Sequence, residues 1–211
     1  MSALATLLTL ADSRLPAGAH VHSGGVEEAV ASGMVSDLET LKAFLCRRIR
    51  THGLVTASIA AAVHRGELSP GDADQETDAR TPAPAARQAS RSQGRGLARL
   101  AQRVWPDGRW DVIGAHPHLA VAAGRVGAVG GLSPEQTTLA IVYTTMTGSA
   151  TAAQRLLALD PADVAALTFR LADLCERTAA EATTGLADLS DPLLDTLAQR
   201  HAERERPLFA S

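Results

Sequence analysis

The chain has 211 residues and a formal net charge of −3, with 45% hydrophobic but only 3% aromatic residues. This length and apolar content suit a single domain whose core is built from Ala, Leu and Val, and the negative net charge argues against a general nucleic-acid-binding protein. The N-terminus lacks the pattern of a signal peptide, and no apolar run approaches the roughly 18 residues that cross a bilayer, so we expect a cytoplasmic protein.

Helix-start signals recur along the first third of the chain. Residues 36–39 have the form of a capping box, and the apolar residues that follow them are spaced three and four apart. This pattern predicts a helix that runs to about His64, with a bend near Gly53. Residues 69–72 predict another helix start, with Pro70 at the first helical position after Ser69.

The middle of the chain places an acidic segment before a basic one. Residues 72–78 carry alternate acidic side chains, and a proline-containing break follows at 81–84. Arginine then occupies every fourth position, which on a helix produces one basic stripe: Arg87, Arg91, Arg95, Arg99 and Arg103. The stripe has three interpretations: a solvated face neutralised by the acidic segment, a surface for an acidic protein partner, or a phosphate or nucleic-acid contact.

The second half predicts helices that pack closely. Residues 105–110 form a turn between two tryptophans, and the small residues of 116–129 predict a helix that allows close backbone approach. Residues 133–136 and 160–163 each begin a long helix, and these two helices should pack antiparallel at a shallow angle. The predicted apolar stripes are Leu139, Val142, Tyr143, Met146, Ala150, Ala153 and Leu157, then Val164, Leu167, Leu171, Leu174 and Thr178.

No segment of useful length alternates between apolar and polar residues, so we expect an all-α, single-domain compact bundle of about seven to ten helices. We place this helical domain at 1–189 and a flexible C-terminal docking tail at 190–211. The tail ends with Leu208 and Phe209, and burying both side chains against a partner contributes roughly 3–6 kcal/mol before ordering costs. Folding of the tail back onto its own domain is the alternative.

Three blocks of the sequence resemble one family. Residues 10–27 match the pattern L-A-D-S-x-x-P-x-G-x-x-x-H-S-x-G-x-E at Leu10, Ala11, Asp12, Ser13, Pro16, Gly18, His22, Ser23, Gly25 and Glu27. The block 87–94 and the C-terminal run 191–201, followed by 207–211, complete the resemblance, which is to the urease accessory protein F family. Residues 156–163 differ from the family pattern, because they lack its Gly and Gln residues.

The resemblance implies an all-α, dimeric, non-enzymatic protein that takes part in assembly of the nickel centre of urease. Its implied partners are an accessory scaffold protein, an accessory GTPase that it regulates, and apo-urease; it implies no cofactor bound directly, since the complex handles the nickel. The tail residues implied to contact the scaffold protein are Arg200, His201, Leu208, Phe209 and Ser211. A weaker expectation assigns partner contacts to Arg87, Arg91 and Arg95, and the signature loop (Ser13, Pro16, Gly18, His22, Ser23 and Glu27) is expected to be structural.

The sequence predicts no catalytic group and no metal ligand set. The pairs His20/His22 and His116/His118 contain good nickel ligands, but no nearby cysteine or carboxylate completes either set in sequence. Ser13, Ser23 and Ser90 have no base at a suggestive spacing, and Glu27 and Glu28 fit a helix N-terminus.

Other expectations concern the cysteines and the competing functions. Cys46 and Cys175 are expected to be buried reduced thiols. The alternative functions are a helical metal-dependent hydrolase with an unrecognised site, and a nucleic-acid-binding helical protein that uses the stripe from Arg87 to Arg103.

Overall fold

Helices account for the fold in the computed structural model of the chain, which describes residues 2–12, 15, 22–205 and 208–209. No β-strand is present in these ranges, and the expected all-α bundle is confirmed. The helices are α1 (Ala3–Ala11), α2 (Val26–Ala31), α3 (Leu38–Arg48), α4 (Leu54–Arg65), α5 (Pro70–Arg80), α6 (Pro84–Val104), α7 (Leu119–Val129), α8 (Pro134–Leu157), α9 (Pro161–Ala182) and α10 (Pro192–Ala202).

Side-chain caps set where several of these helices begin. Ser69, Ser133 and Asp160 each accept a hydrogen bond from a backbone N–H of the first turn, and proline occupies an early helical position each time, as predicted. The capping box before α3 differs by one residue from the prediction. Asp37 is the N-cap, and Thr40 closes the box through its hydroxyl.

The bend expected near Gly53 is a π-helical turn, Ile49–Gly53, that joins α3 to α4 without a break in the helical path. Such a turn contains an extra residue and changes the direction in which the following side chains point. Arg48 and His52 lie at this junction, so the turn determines how both side chains enter the interior.

Helix α4 lies at the centre of the bundle, with residues 54–62 all buried. It packs most extensively on α7, where the predicted close approach occurs: a Cβ added at Gly124 would overlap the carbonyl oxygen of Ala60 and lie 2.8 Å from Cβ of Val63. Glycine is therefore required at this crossing because the two backbones leave no room for a side chain.

Helices α8 and α9 form the expected pair across a short link. All five residues of the α9 stripe are buried, and so are Val142, Met146, Ala150 and Ala153 of the α8 stripe. Tyr143 was expected in the core, but it is 39% exposed. Its neighbour Val142 is fully buried, so the edge of the buried stripe runs between these two residues.

The C-terminal region begins with a packed helix. Helix α10 contacts α2 and α6, and Asp191 at its N-terminus accepts two hydrogen bonds from Nε and Nη2 of Arg47, at 2.8 and 2.7 Å. The expected boundary between the helical domain and the docking tail, at residue 190, thus falls just before a helix that is part of the bundle. For α10, the structure agrees with the alternative in which the tail folds back onto its own domain.

Two smaller expectations concern the cysteines and membrane spans. Both cysteines are free thiols; Cys175 is buried, whereas Cys46 is only half-buried. Burial raises the pKa of the Cys175 thiol to about 11. In the described ranges, no helix has the length and apolar character that crossing a membrane requires.

Candidate functional site: the junction of α2 with the C-terminal segment

Glu27, in the first turn of α2, joins the two ends of the chain. Its carboxylate accepts a hydrogen bond of 2.7 Å from Nε2 of His201 at the end of α10, and further ones from the backbone N–H groups of Leu208 (2.7 Å) and Phe209 (3.0 Å). The side chains of Glu27 and His201 are only 4% and 3% exposed. The junction is therefore a buried polar contact in which both oxygens of the Glu27 carboxylate accept hydrogen bonds.

The environment keeps the Glu27 carboxylate ionised. Burial opposes ionisation, but the hydrogen bonds from His201, Leu208 and Phe209 outweigh it, so the pKa of Glu27 lies below its usual value. Because a carboxylate only accepts, Nε2 of His201 carries the hydrogen.

Two further contacts hold the C-terminal segment. Arg204 bonds Glu28 at 2.8 Å, and the Arg155 guanidinium lies 5.7 Å from the centre of the Phe209 ring.

The predicted scaffold-contact residues have different environments. The side chains of Arg200 and Leu208 are exposed, the latter to 78%, whereas Phe209 is partly buried. His201 was expected to face a partner, but its side chain lies inside the junction. Ser211 lies outside the described residues.

The signature loop is described only in part. Ser13, Pro16, Gly18 and His20 lie outside the described residues. His22, Ser23 and Glu27 are buried, and the hydroxyl of Ser149 donates to the Ser23 carbonyl at 3.1 Å. The described end of this loop is therefore buried and bonded to α8, and its structural role stays a prediction.

The arginine stripe divides into two parts along α6. Arg91 pairs with Asp74 (2.6 Å) and Asp78 (3.0 Å), while Arg95 lies 3.1 Å from Nδ1 of His116. Arg87 is also within 3.8 Å of Asp78, whereas Arg99 and Arg103 are exposed. The acidic segment thus neutralises the first half of the stripe, and a partner contact at Arg87, Arg91 or Arg95 stays a prediction.

A polar chain that sequence reasoning missed joins α5, α6 and α7. The ring of His118 is fully buried between Asp78, 2.9 Å from Nε2, and Ser90, 3.0 Å from Nδ1. Since the carboxylate accepts from Nε2, the Ser90 hydroxyl donates to Nδ1. Burial lowers the pKa of His118, which keeps the ring neutral.

Ser90, His118 and Asp78 follow the order of a nucleophile, a base and a carboxylate. Their contacts, however, fit a structural role in which they hold three helices together. The oxygen of Ser90 also accepts the N–H of Leu119 at 3.2 Å, so it caps the first turn of α7. Asp78 is shared with Arg91. Only the packing of three helices brings these residues together, and no local spacing signalled it.

The group Asp74, Asp78 and His118 also has the spacing of a metal site, since its ligand atoms lie within 4.8 Å of one another. Here a guanidinium provides the cation, because Arg91 bonds both carboxylates. Both ring nitrogens of His118 also have partners. A metal ion at this position would have to displace Arg91, so the group fits a structural network better than a cation site.

The sequence is similar to known proteins over its whole length. A family model described as UreF matches residues 35–172. The chain is 76% identical to the urease accessory protein UreF of Mycobacterium marinum (strain ATCC BAA-535 / M) and 75% identical to that of Mycobacterium tuberculosis (strain ATCC 25177 / H37Ra), each over 211 residues and all of both chains. A third relative of the same name, from Mycolicibacterium vanbaalenii, is 75% identical over 214 residues, again covering both chains completely.

Proposed function

The chain belongs to the UreF family of urease accessory proteins, and from this premise we propose that it serves assembly of the urease nickel centre by binding other proteins rather than by catalysis. It links an accessory scaffold protein to the accessory GTPase and apo-urease, as a cytoplasmic dimer. Nickel is cargo of the assembled complex, and this chain binds no cofactor of its own.

The junction at Glu27 is the observation that supports this proposal most directly. The segment that carries Leu208 is tied to the body by two backbone hydrogen bonds to Glu27, while the Leu208 side chain stays 78% exposed. An exposed apolar side chain on an anchored backbone loses little further entropy on binding. The proposed scaffold contact therefore consists of Leu208 and Arg200, and His201 positions them from inside.

The proposal is tested by mixing the full-length chain with the purified scaffold accessory protein and measuring the dissociation constant by calorimetry. Leu208→Asp should weaken binding by about 10- to 100-fold, since burying a leucine contributes about 1.5–3 kcal/mol. Phe169→Asp is the matched control, because Phe169 is 82% exposed on α9, far along the chain from the tail. Equal affinity of the Leu208→Asp variant and the unmodified chain would contradict the proposed contact.

A further inference from the structure

A partly open cavity of about 200 Å³ lies beside the π-helical turn. Arg48 and His52, from the two ends of that turn, line it together with residues of α6, α7 and α8. Phe209 and Arg155, whose ring contact is described above, lie at its edge.

Arg48 is a half-buried cation whose guanidinium bonds no carboxylate among the described residues. Its Nη1 donates to the Gly24 carbonyl at 2.7 Å, while its enclosed Nε has no acceptor in the described part of the chain. Asp191 is the acidic group that influences it, but that carboxylate is already bonded to Arg47 and Thr51. Burial lowers the pKa of Arg48 to about 10, so the guanidinium is still charged at neutral pH.

A charged group removed from water without a counter-ion is costly, and proteins normally pair it. A carboxylate matches a guanidinium best, because its two oxygens accept two parallel N–H groups. His52 does not compete for this anion, since burial and the nearby charge of Arg48 lower its pKa to about 3 and leave the ring neutral. The charged side chains lining the cavity among the described residues are Arg48, Arg155 and Asp12, a net charge of one positive unit.

The rest of the cavity wall is mainly apolar. Leu97 of α6, Val126 of α7 and Ile141 of α8 are buried and line it. An apolar wall with a single charged group at one side is typical of sites for small amphipathic molecules. The space equals several times the roughly 30 Å³ that a water molecule occupies in the liquid, enough for a small organic acid.

We propose that this cavity binds a small carboxylate with a short apolar tail, whose carboxylate pairs with Arg48 and whose tail lies against Leu97, Val126 and Ile141. The inference does not rest on the proposed function, because Arg48, Leu97, Val126 and Ile141 all lie outside the C-terminal segment.

Calorimetric titration of the full-length chain with acetate, butanoate and hexanoate tests it. Affinity should rise about fourfold per methylene group, or roughly 15-fold from butanoate to hexanoate, if the tail enters an apolar space. Hexan-1-ol has the same tail without the charge and should bind at least about tenfold more weakly than hexanoate. Equal binding of the alcohol and the acid, or no binding of hexanoate in the millimolar range, would overturn the proposal.

Two substitutions locate the site. Arg48→Met should weaken hexanoate binding by about 10- to 100-fold, whereas Arg50→Met removes the same charge from an exposed side chain two residues away and should leave affinity within about twofold. If Arg48→Met fails to fold, Arg48→Lys decides, because it keeps the charge but loses the planar pair of donors and should bind hexanoate more weakly. Equal loss in the Arg50→Met variant would refute the assignment to Arg48.

Discussion

Replacing Glu27 with glutamine should separate the C-terminal segment from α2. The carboxylate accepts three hydrogen bonds, and a hydrogen bond to a charged group contributes about 1.5–3 kcal/mol. The N–H groups of Leu208 and Phe209 return to water once the segment is released, so their loss is partly compensated. The buried His201 ring does not reach water, so the loss of its hydrogen bond is not compensated. We therefore expect the free energy of unfolding to fall by about 2–3 kcal/mol.

The assay is urea unfolding followed by circular dichroism, with hydrogen exchange of the backbone amides around 201–209 as a local readout. Glu28→Gln is the matched control, because Glu28 bonds an Arg204 side chain that is one third exposed, and such pairs contribute at most about 1 kcal/mol. A Glu27→Gln variant with the urea midpoint and the amide protection of the unmodified chain would refute the reasoning.

The same carboxylate predicts the sign of a pH effect. Its pKa is lower in the folded chain than its ordinary value of 4.5, so the unfolded chain binds the proton more readily. The stabilisation by Glu27 is present above pH 4.5 and is lost as the pH falls through the folded value. The stability difference between the unmodified chain and Glu27→Gln should therefore shrink in acid, and a difference that grew instead would contradict the assignment.

Two further predictions concern packing and a second buried acid. Gly124→Ala should lower the free energy of unfolding by about 1–3 kcal/mol or more, because the added Cβ has no room. Gly148→Ala should raise it by about 0.5–1 kcal/mol, because a Cβ at this position inside α8 meets nothing within 4 Å. Chemical denaturation of both variants measures these two changes. Hydrogen bonds from Arg47 lower the pKa of Asp191 despite its burial. Asp191→Asn should therefore destabilise the chain at pH 7 and progressively less as the pH falls below 3.8. Thermal melting against pH measures this effect, and a stability difference between the two chains that stays constant with pH would count against it.

The fold was predictable where its signals are local. Ser69, Ser133 and Asp160 begin helices through hydrogen bonds within four residues, and the buried stripe of α9 follows directly from helical periodicity. The shift from Ser36 to Asp37 before α3 has an equally local cause. Thr40, rather than Glu39, provides the side chain that returns to the cap.

The candidate site was less predictable because its partners are distant along the chain. Glu27 and His201 are 174 residues apart, and Asp78 and His118 are 40 apart. A stripe of arginines can be recognised by spacing, but its pairing depends on where α5 packs. The same limit applies to Arg48, since the sequence does not reveal that its neighbour Arg47 pairs with Asp191.

The contact between Glu27 and His201 has a consequence for biosynthesis. The acid is made near the start of translation and its imidazole partner near the end, so the face of α2 that α10 covers stays exposed until almost the whole polypeptide has been made. A prematurely terminated product lacks this closure and exposes the face of α2 that α10 covers. Truncation is therefore a poor way to study the proposed scaffold contact. A single substitution at the exposed Leu208 side chain leaves the contact between Glu27 and His201 in place.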